Sequence, residues 1–148
     1  MPAVDWMQAA AINGGVQHVT LKQSKPPSSW VGTAAEGQVR AVTDWQRQGP
    51  LNLFEGSARE AASRFPKSSN VAATLGLATA GLDKTQVQLV ADPGEVFRTD
   101  IELKAACGRL VVHAEHHPSE TNPKTSADVA LSVIRSLRAI CSPVVYGI

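Results

Sequence analysis

The sequence predicts an α+β domain in which helices cover one face of a mixed, mostly antiparallel sheet. Three observations carry this. Apolar and polar residues alternate with a period of two over residues 16–23, 85–91 and 97–114, as in strands with unlike faces. Apolar stripes at helical spacing occupy residues 3–13, 71–78 and 127–140, as in helices packed on one side. The two kinds of segment are interspersed without the strict alternation that builds a parallel doubly wound sheet.

With 148 residues, the chain is expected to form one domain over its whole length, 1–148. The composition is 43% hydrophobic and 18% charged, with a net charge of +1, which suits a globular chain and not a disordered one. So small a charge gives no electrostatic basis for binding nucleic acid or an anionic membrane. The apolar stretches at 71–80 and 127–140 are broken by polar residues and too short or too amphipathic to span a bilayer. Met1-Pro2-Ala3-Val4-Asp5 lacks the cationic segment and apolar run of a secretory signal, so cytoplasmic residence is expected. Cys107 and Cys141 are far apart and outside any C-x-x-C pair, which argues against a disulfide or thiolate metal site and predicts two small buried hydrophobes.

In chain order, an alanine-rich helix over residues 3–13 ends at Gly14-Gly15, where glycine supplies the left-handed residue of a helix end. A strand follows over 16–23, in which His18 is an ordinary face residue. Residues 24–49, with Pro26-Pro27 and scattered glycines, read as a long loop with a helical turn near 39–47, pinned by burial of Trp30 and Trp45. A short strand at 51–55 precedes Ser57-Ala58-Arg59-Glu60, a capping box that starts a helix running to about Phe65 and stopped by Pro66. Ser68-Ser69 offers a cap for a second helix carrying Val71, Leu75 and Ala78 and closed by Gly81. Val87, Leu89 and Ala91 alternate with Gln86, Gln88 and Val90 in the next strand.

Phe97, Thr99, Ile101 and Leu103 then face one way, and Arg98, Asp100, Glu102 and Lys104 the other. Leu110, Val112 and Ala114 alternate again, so a hairpin turns near 105–108 with its polar side toward solvent or the edge of a cleft. Pro123 stands at a first helical position, and Ala127, Ala130, Leu131, Ile134, Leu137 and Ile140 trace the stripe of a last helix expected to pack on the sheet.

No G-x-G-x-x-G follows a strand, and neither a P-loop nor a G-x-S-x-G elbow occurs, so the chain has no phosphate cradle and no evident nucleophile. His113, Glu115 and His117 would share one strand face, but two histidines and one carboxylate with no further ligand read as an exposed strand end before Pro118, and no metal is expected. Two segments are more suggestive: Pro66-Lys67-Ser68-Ser69-Asn70 and Asn122-Pro123-Lys124-Thr125-Ser126. Each sets a lysine and hydroxyl residues at a helix start, where free amides and the positive end of the dipole favour an anion. Either the two termini hold a small dicarboxylate, or the hydroxyls only cap and the lysines point to water.

Lys25-Pro26-Pro27 with Trp30, the run Phe54-Glu55-Gly56-Ser57-Ala58-Arg59-Glu60-Ala61-Ala62, and Phe65-Pro66-Lys67 with Asn70-Val71-Ala72-Ala73-Thr74 resemble successive motifs of L-aspartate dehydrogenase. Gly81-Leu82-Asp83, Val90-Ala91-Asp92-Pro93 and Asn122-Pro123-Lys124-Thr125-Ser126 continue the resemblance in the same order. It implies the C-terminal, substrate-binding domain of that family, with a fold like that of the C-terminal domain of glyceraldehyde-3-phosphate dehydrogenase. It implies an NAD(P)-dependent oxidoreductase that takes a hydride from Cα of aspartate to give iminoaspartate for NAD biosynthesis, usually as a homodimer. The family's dinucleotide sits on an N-terminal Rossmann domain, which is expected to be absent here, so NAD or NADP would bind only with a Rossmann partner.

The family asparagine that reaches the cofactor matches Asn70, and Lys67, Lys124, Thr125 and Ser126 match as substrate-carboxylate residues. One departure stands out. After Ala-Asp-Pro the family has an asparagine and, two residues later, a histidine proposed as acid/base. Here the stretch Val96-Phe97-Arg98-Thr99-Asp100 is one residue shorter and has no histidine. Thr99 or Asp100 takes its place; threonine does not titrate near neutral pH and an aspartate is ordinarily ionised, so neither replaces an imidazole. The isolated chain is therefore expected to be inactive, either as the substrate and dimerisation domain of a dehydrogenase or as a divergent module that binds a small carboxylate or only dimerises.

Overall fold

A computed structural model describes residues 15–119 continuously, and residues 7, 9–12, 134, 135, 137, 138, 140 and 141 besides. Five strands form one sheet: β1 (Val16–Lys25), β2 (Leu51–Ser57), β3 (Thr85–Ala91), β4 (Phe97–Ala105) and β5 (Gly108–His116). Their order is β2-β3-β1-β4-β5. β1 pairs with β3 in parallel, and every other neighbouring pair is antiparallel. The expected mixed, mostly antiparallel sheet is thus found.

Period-two alternation gives the sheet its two faces. Val19 and Leu21 of β1 register with Leu103 and Ile101 of β4, and Leu21 with Val87 of β3. Val19, Leu21, Val87, Leu89 and Leu103 are fully or almost fully buried, each contributing about 1.5–3 kcal/mol by leaving water. Against this face pack α3 (Ala58–Arg64) and α4 (Asn70–Ala78) through Ala58, Ala61, Ala72 and Leu75, together with Met7 and Ala10 of the opening helix. The other face carries Lys22, Gln86, Gln88, Asp100 and Glu102 around a shallow cavity of about 320 Å³.

The capping box at the start of α3 is present. Ser57 Oγ accepts from the Glu60 amide at 3.2 Å, and the Ser57 amide donates to Glu60 Oε2 at 2.8 Å. Gly81 has φ 90° and closes α4 by donating from its amide to the Gly76 carbonyl at 2.8 Å. The hairpin turns at Ala106-Cys107, as its alternation requires.

Four expectations are corrected. Residues 24–49 are a loop broken by a 3-10 turn (Pro27–Trp30) and two short helices, α1 (Glu36–Arg40) and α2 (Trp45–Gln48). Trp30, 0% exposed, gathers that segment onto the core, and Trp45 packs against it. Ser69 stands at the N-cap of α4, but its hydroxyl donates to the Phe65 carbonyl at 2.7 Å and makes no cap. Cys107 and Cys141 are exposed, Cys107 because it lies in the hairpin turn. Ile134, Leu137 and Ile140 lie on a helix yet are 47%, 59% and 81% exposed, so these three do not pack on the sheet. Lys124, Thr125 and Ser126, where that helix was expected to start, lie outside the described residues.

Candidate functional site

Phe65 anchors the connection that carries Lys67 and leads to Asn70. Its ring meets Trp30 edge-on at 6.2 Å and Phe54 edge-on at 5.5 Å, contacts worth about 0.5–1.5 kcal/mol each beyond area burial. Pro66 ends α3 beside it, and the chain turns through residues 66–68 before α4 begins at Asn70. Lys67 is exposed and borders a cavity of about 190 Å³ with Arg64, Ser68 and the Gly32-Thr33-Ala34 turn. Two cations and the small Gly32-Thr33-Ala34 turn make this a place where a carboxylate is favoured over a cation. Asn70 is exposed at the first position of α4, so its amide is available to a group outside the domain. Lys67 and Asn70 therefore share one connection. Lys124, Thr125 and Ser126 lie outside the described residues and cannot be placed against them.

The sheet register separates Thr99 from Asp100. Thr99 lies opposite Gln23 and Ala114 on the helix-covered face. Asp100 lies opposite Lys22 and His113 on the open face, where its Oδ1 contacts His113 Nδ1. That hydrogen bond, and then the Asp100 charge, raise the His113 pKa above the ordinary histidine value. Of Thr99 and Asp100, only Thr99 is on the side of α4.

The turn entering β4 is fixed by charge. Asp92 Oδ1 accepts from the Gly94 amide at 2.9 Å, and Asp92 Oδ2 accepts from Arg98 Nη1 at 2.9 Å. Arg98 Nε donates to Glu115 Oε1 at 2.9 Å, and the Asp92 amide donates to the Lys25 carbonyl at 2.9 Å. His113 Nε2 and Glu115 Oε1 are 3.8 Å apart on the open face, but His117 falls beyond β5. Among the described residues no group of three or more His, Cys, Asp or Glu is disposed to hold a metal.

Two groups beside this site carry no role in the sequence reading. Lys25, at the end of β1, sets Nζ 5.4 Å from the Trp30 ring centre, and Gln23, two residues earlier, is 5% exposed with Oε1 unpartnered. A signal existed: Gln23 interrupts the apolar side of the β1 alternation.

A family model described as aspartate dehydrogenase, C-terminal, matches residues 5–140. The chain belongs to that family. It is 44% identical over 137 residues to L-aspartate dehydrogenase of Pseudomonas aeruginosa, covering 91% of this chain and 49% of that protein. With the L-aspartate dehydrogenase of Ruegeria pomeroyi it shares 42% over 139 residues, covering 92% of this chain and 48% of the relative. The chain thus spans about half the length of the curated relatives it matches. A crystal structure of aspartate dehydrogenase from Thermotoga maritima superposes with a TM-score of 0.67 at 24% identity, over 99% of this chain and 51% of that one. That likeness supports the α+β fold. Among the described residues no helix is long and apolar enough to cross a membrane.

Relatives of this family are NAD(P)-dependent in general, and on this chain Asn70 is exposed at a helix start. The sequence carries no G-x-G-x-x-G motif of the kind that cradles a dinucleotide's phosphates.

Proposed function

We propose that this region is the substrate-side domain of an L-aspartate dehydrogenase-like oxidoreductase, acting with a dinucleotide-binding module and forming a homodimer. The observation that carries the reading is the placement of Lys67 and Asn70 on one short connection, next to a small cation-bordered cavity. In this reading Lys67 receives a carboxylate of aspartate, joined by Lys124, Thr125 and Ser126, and Asn70 orients the nicotinamide. The bound cofactor supplies the hydride acceptor, so that aspartate becomes iminoaspartate for NAD biosynthesis. Cytoplasmic residence belongs to the same reading.

The domain's own residues bind and orient; they do not move the proton. Thr99 lacks a titrating group, and Asp100 is engaged with His113 across the sheet from α4. The chain alone therefore gives no turnover. Absorbance of reduced nicotinamide with aspartate and NAD or NADP present tests this, and sustained formation overturns it. Calorimetry with L-aspartate and oxaloacetate tests the binding half of the reading; heat of binding supports it, and none with either ligand sinks it.

The same displacement of Asp100 favours a second reading, a non-catalytic module that binds a small carboxylate or only dimerises. Fusing a relative's dinucleotide-binding half to this chain decides between them. Aspartate-dependent reduction of the cofactor supports the dehydrogenase, and binding of aspartate without reduction supports the module.

A further inference from the structure

The two edges of the sheet are unlike. β2 is guarded: Pro50 precedes it, a bulge between Asn52 and Phe54 breaks its pairing with β3, and it runs straight into α3. Prolines and bulges keep an edge from taking on another strand. β5 carries neither. Its nine residues pair with β4 in unbroken register from Gly108 to His116, and among the described residues β4 is its one neighbouring strand. Alternate residues between Arg109 and Glu115 therefore aim N–H and C=O away from β4. The middle of the strand is apolar, Leu110-Val111-Val112, with Val111 56% exposed on the open face. Arg109 and Glu115 stand on that same face toward opposite ends, across from Lys104 and Arg98.

This arrangement is its own complement under a twofold axis. An antiparallel pair of β5 strands centred on Val112 sets Arg109 opposite the partner's Glu115, Val111 opposite the partner's His113 and Leu110 opposite the partner's Ala114. Every residue meets one on its own face, two opposite-charge pairs form, and no like charges stand directly opposite. Sliding by two residues, the smallest step that keeps the faces, loses both charge pairs. Arg109 commits Nε to Glu102 at 3.0 Å and Glu115 commits Oε1 to Arg98 at 2.9 Å. Both side chains are still more than half exposed, so their outer atoms can reach a second strand.

We propose that β5 is the homodimer interface: two copies join edge to edge through antiparallel β5 strands, and one sheet runs through both. A second copy of this chain is the occupant because the strand matches itself in length, face and charge. The proposal rests on the homodimer reading above and names the surface that reading uses.

Sedimentation of the 148-residue chain over a range of concentrations tests it. Arg109→Glu and, separately, Glu115→Arg each set like charges opposite one another twice in the dimer, and each should weaken association about tenfold or more. Mixed one to one, the two variants again face opposite charges at both pairs, so the mixture should associate more tightly than either variant alone. If both variants associate as tightly as the unsubstituted chain, or if the mixture is no tighter than its components, the β5 surface is wrong and the homodimer reading stands. If the unsubstituted chain stays monomeric at every concentration, both fall. Should a variant fail to fold by circular dichroism, amide exchange of the unsubstituted chain serves instead. Alternate β5 amides should be protected in the associated state and exchange faster on dilution, and β5 amides that ignore dilution overturn the proposal.

Discussion

Lys25 and Trp30 hold each other: the lysine ammonium lies 5.4 Å from the centre of the indole, and indole Nε1 donates to the Lys25 carbonyl at 3.4 Å. Through this pair a strand end, a 3-10 turn and, by way of Phe65, the connection between α3 and α4 become one packed unit.

Trp30→Ala should therefore be among the most damaging single changes. Removing a fully buried tryptophan costs about 3–5 kcal/mol, a large part of the stability of a domain this size. Urea unfolding read by circular dichroism should show a midpoint far below that of the unsubstituted chain, or no cooperative transition.

Gly56→Ala should destabilise through crowding. A Cβ there would stand 2.7 Å from Glu60 Oε2 and 2.8 Å from Phe54 Cζ, displacing both the capping carboxylate and a buried ring. The expected cost is about 1–3 kcal/mol, whereas Ser57→Ala, which removes the cap alone, should cost about 1 kcal/mol. Thermal melts of the two variants check the order.

His113 should titrate above 6.5, the ordinary value, because Asp100 hydrogen-bonds the protonated ring and adds its charge. The contribution of that contact to stability is complete below pH 6.5 and is lost as pH rises through the raised value. Asp100→Asn should bring the midpoint back toward 6.5 in an NMR titration; an unmoved midpoint refutes the assignment.

Glu102 shows the opposite linkage. Hydrogen bonds from Arg109 and then Lys104 hold its carboxyl down at about 2 instead of 4.5. Its contribution is complete above 4.5 and fades as pH falls toward 2. The cluster is solvent-exposed, so added salt should weaken the effect. Arg109→Gln should raise the Glu102 midpoint in a carboxyl NMR titration, and less so at high salt.

Lys67→Met should weaken L-aspartate binding roughly ten- to hundredfold, the range for losing one hydrogen bond to a charged group. Lys84→Met, at an exposed lysine in the turn before β3, should leave it unchanged. Calorimetry that finds equal affinities for both variants removes Lys67 from the binding site.

Local patterns were readable because they depend on near neighbours. The Ser57 and Glu60 cap, the closure of α4 at Gly81 and the faces of the hairpin need only spacings of a few residues. The short helices within residues 24–49 were not readable, since Trp30 holds them in place through partners distant in the chain. Ser69 likewise fits a capping pattern, yet its hydroxyl turns to Phe65.

By itself the sequence determined the family, the α+β class and the strand faces, all of which are written in residue order and period. It left Thr99 and Asp100 as equal candidates, because a gap can be placed at either position in a linear comparison. Only the sheet sets them apart in space: pairing with β1 and β5 sends adjacent side chains to opposite faces, Thr99 toward the helices and Asp100 to His113. The Lys25–Trp30 contact and the unpartnered Gln23 Oε1 also emerged only in three dimensions, because burial is decided by what the rest of the chain packs around a residue.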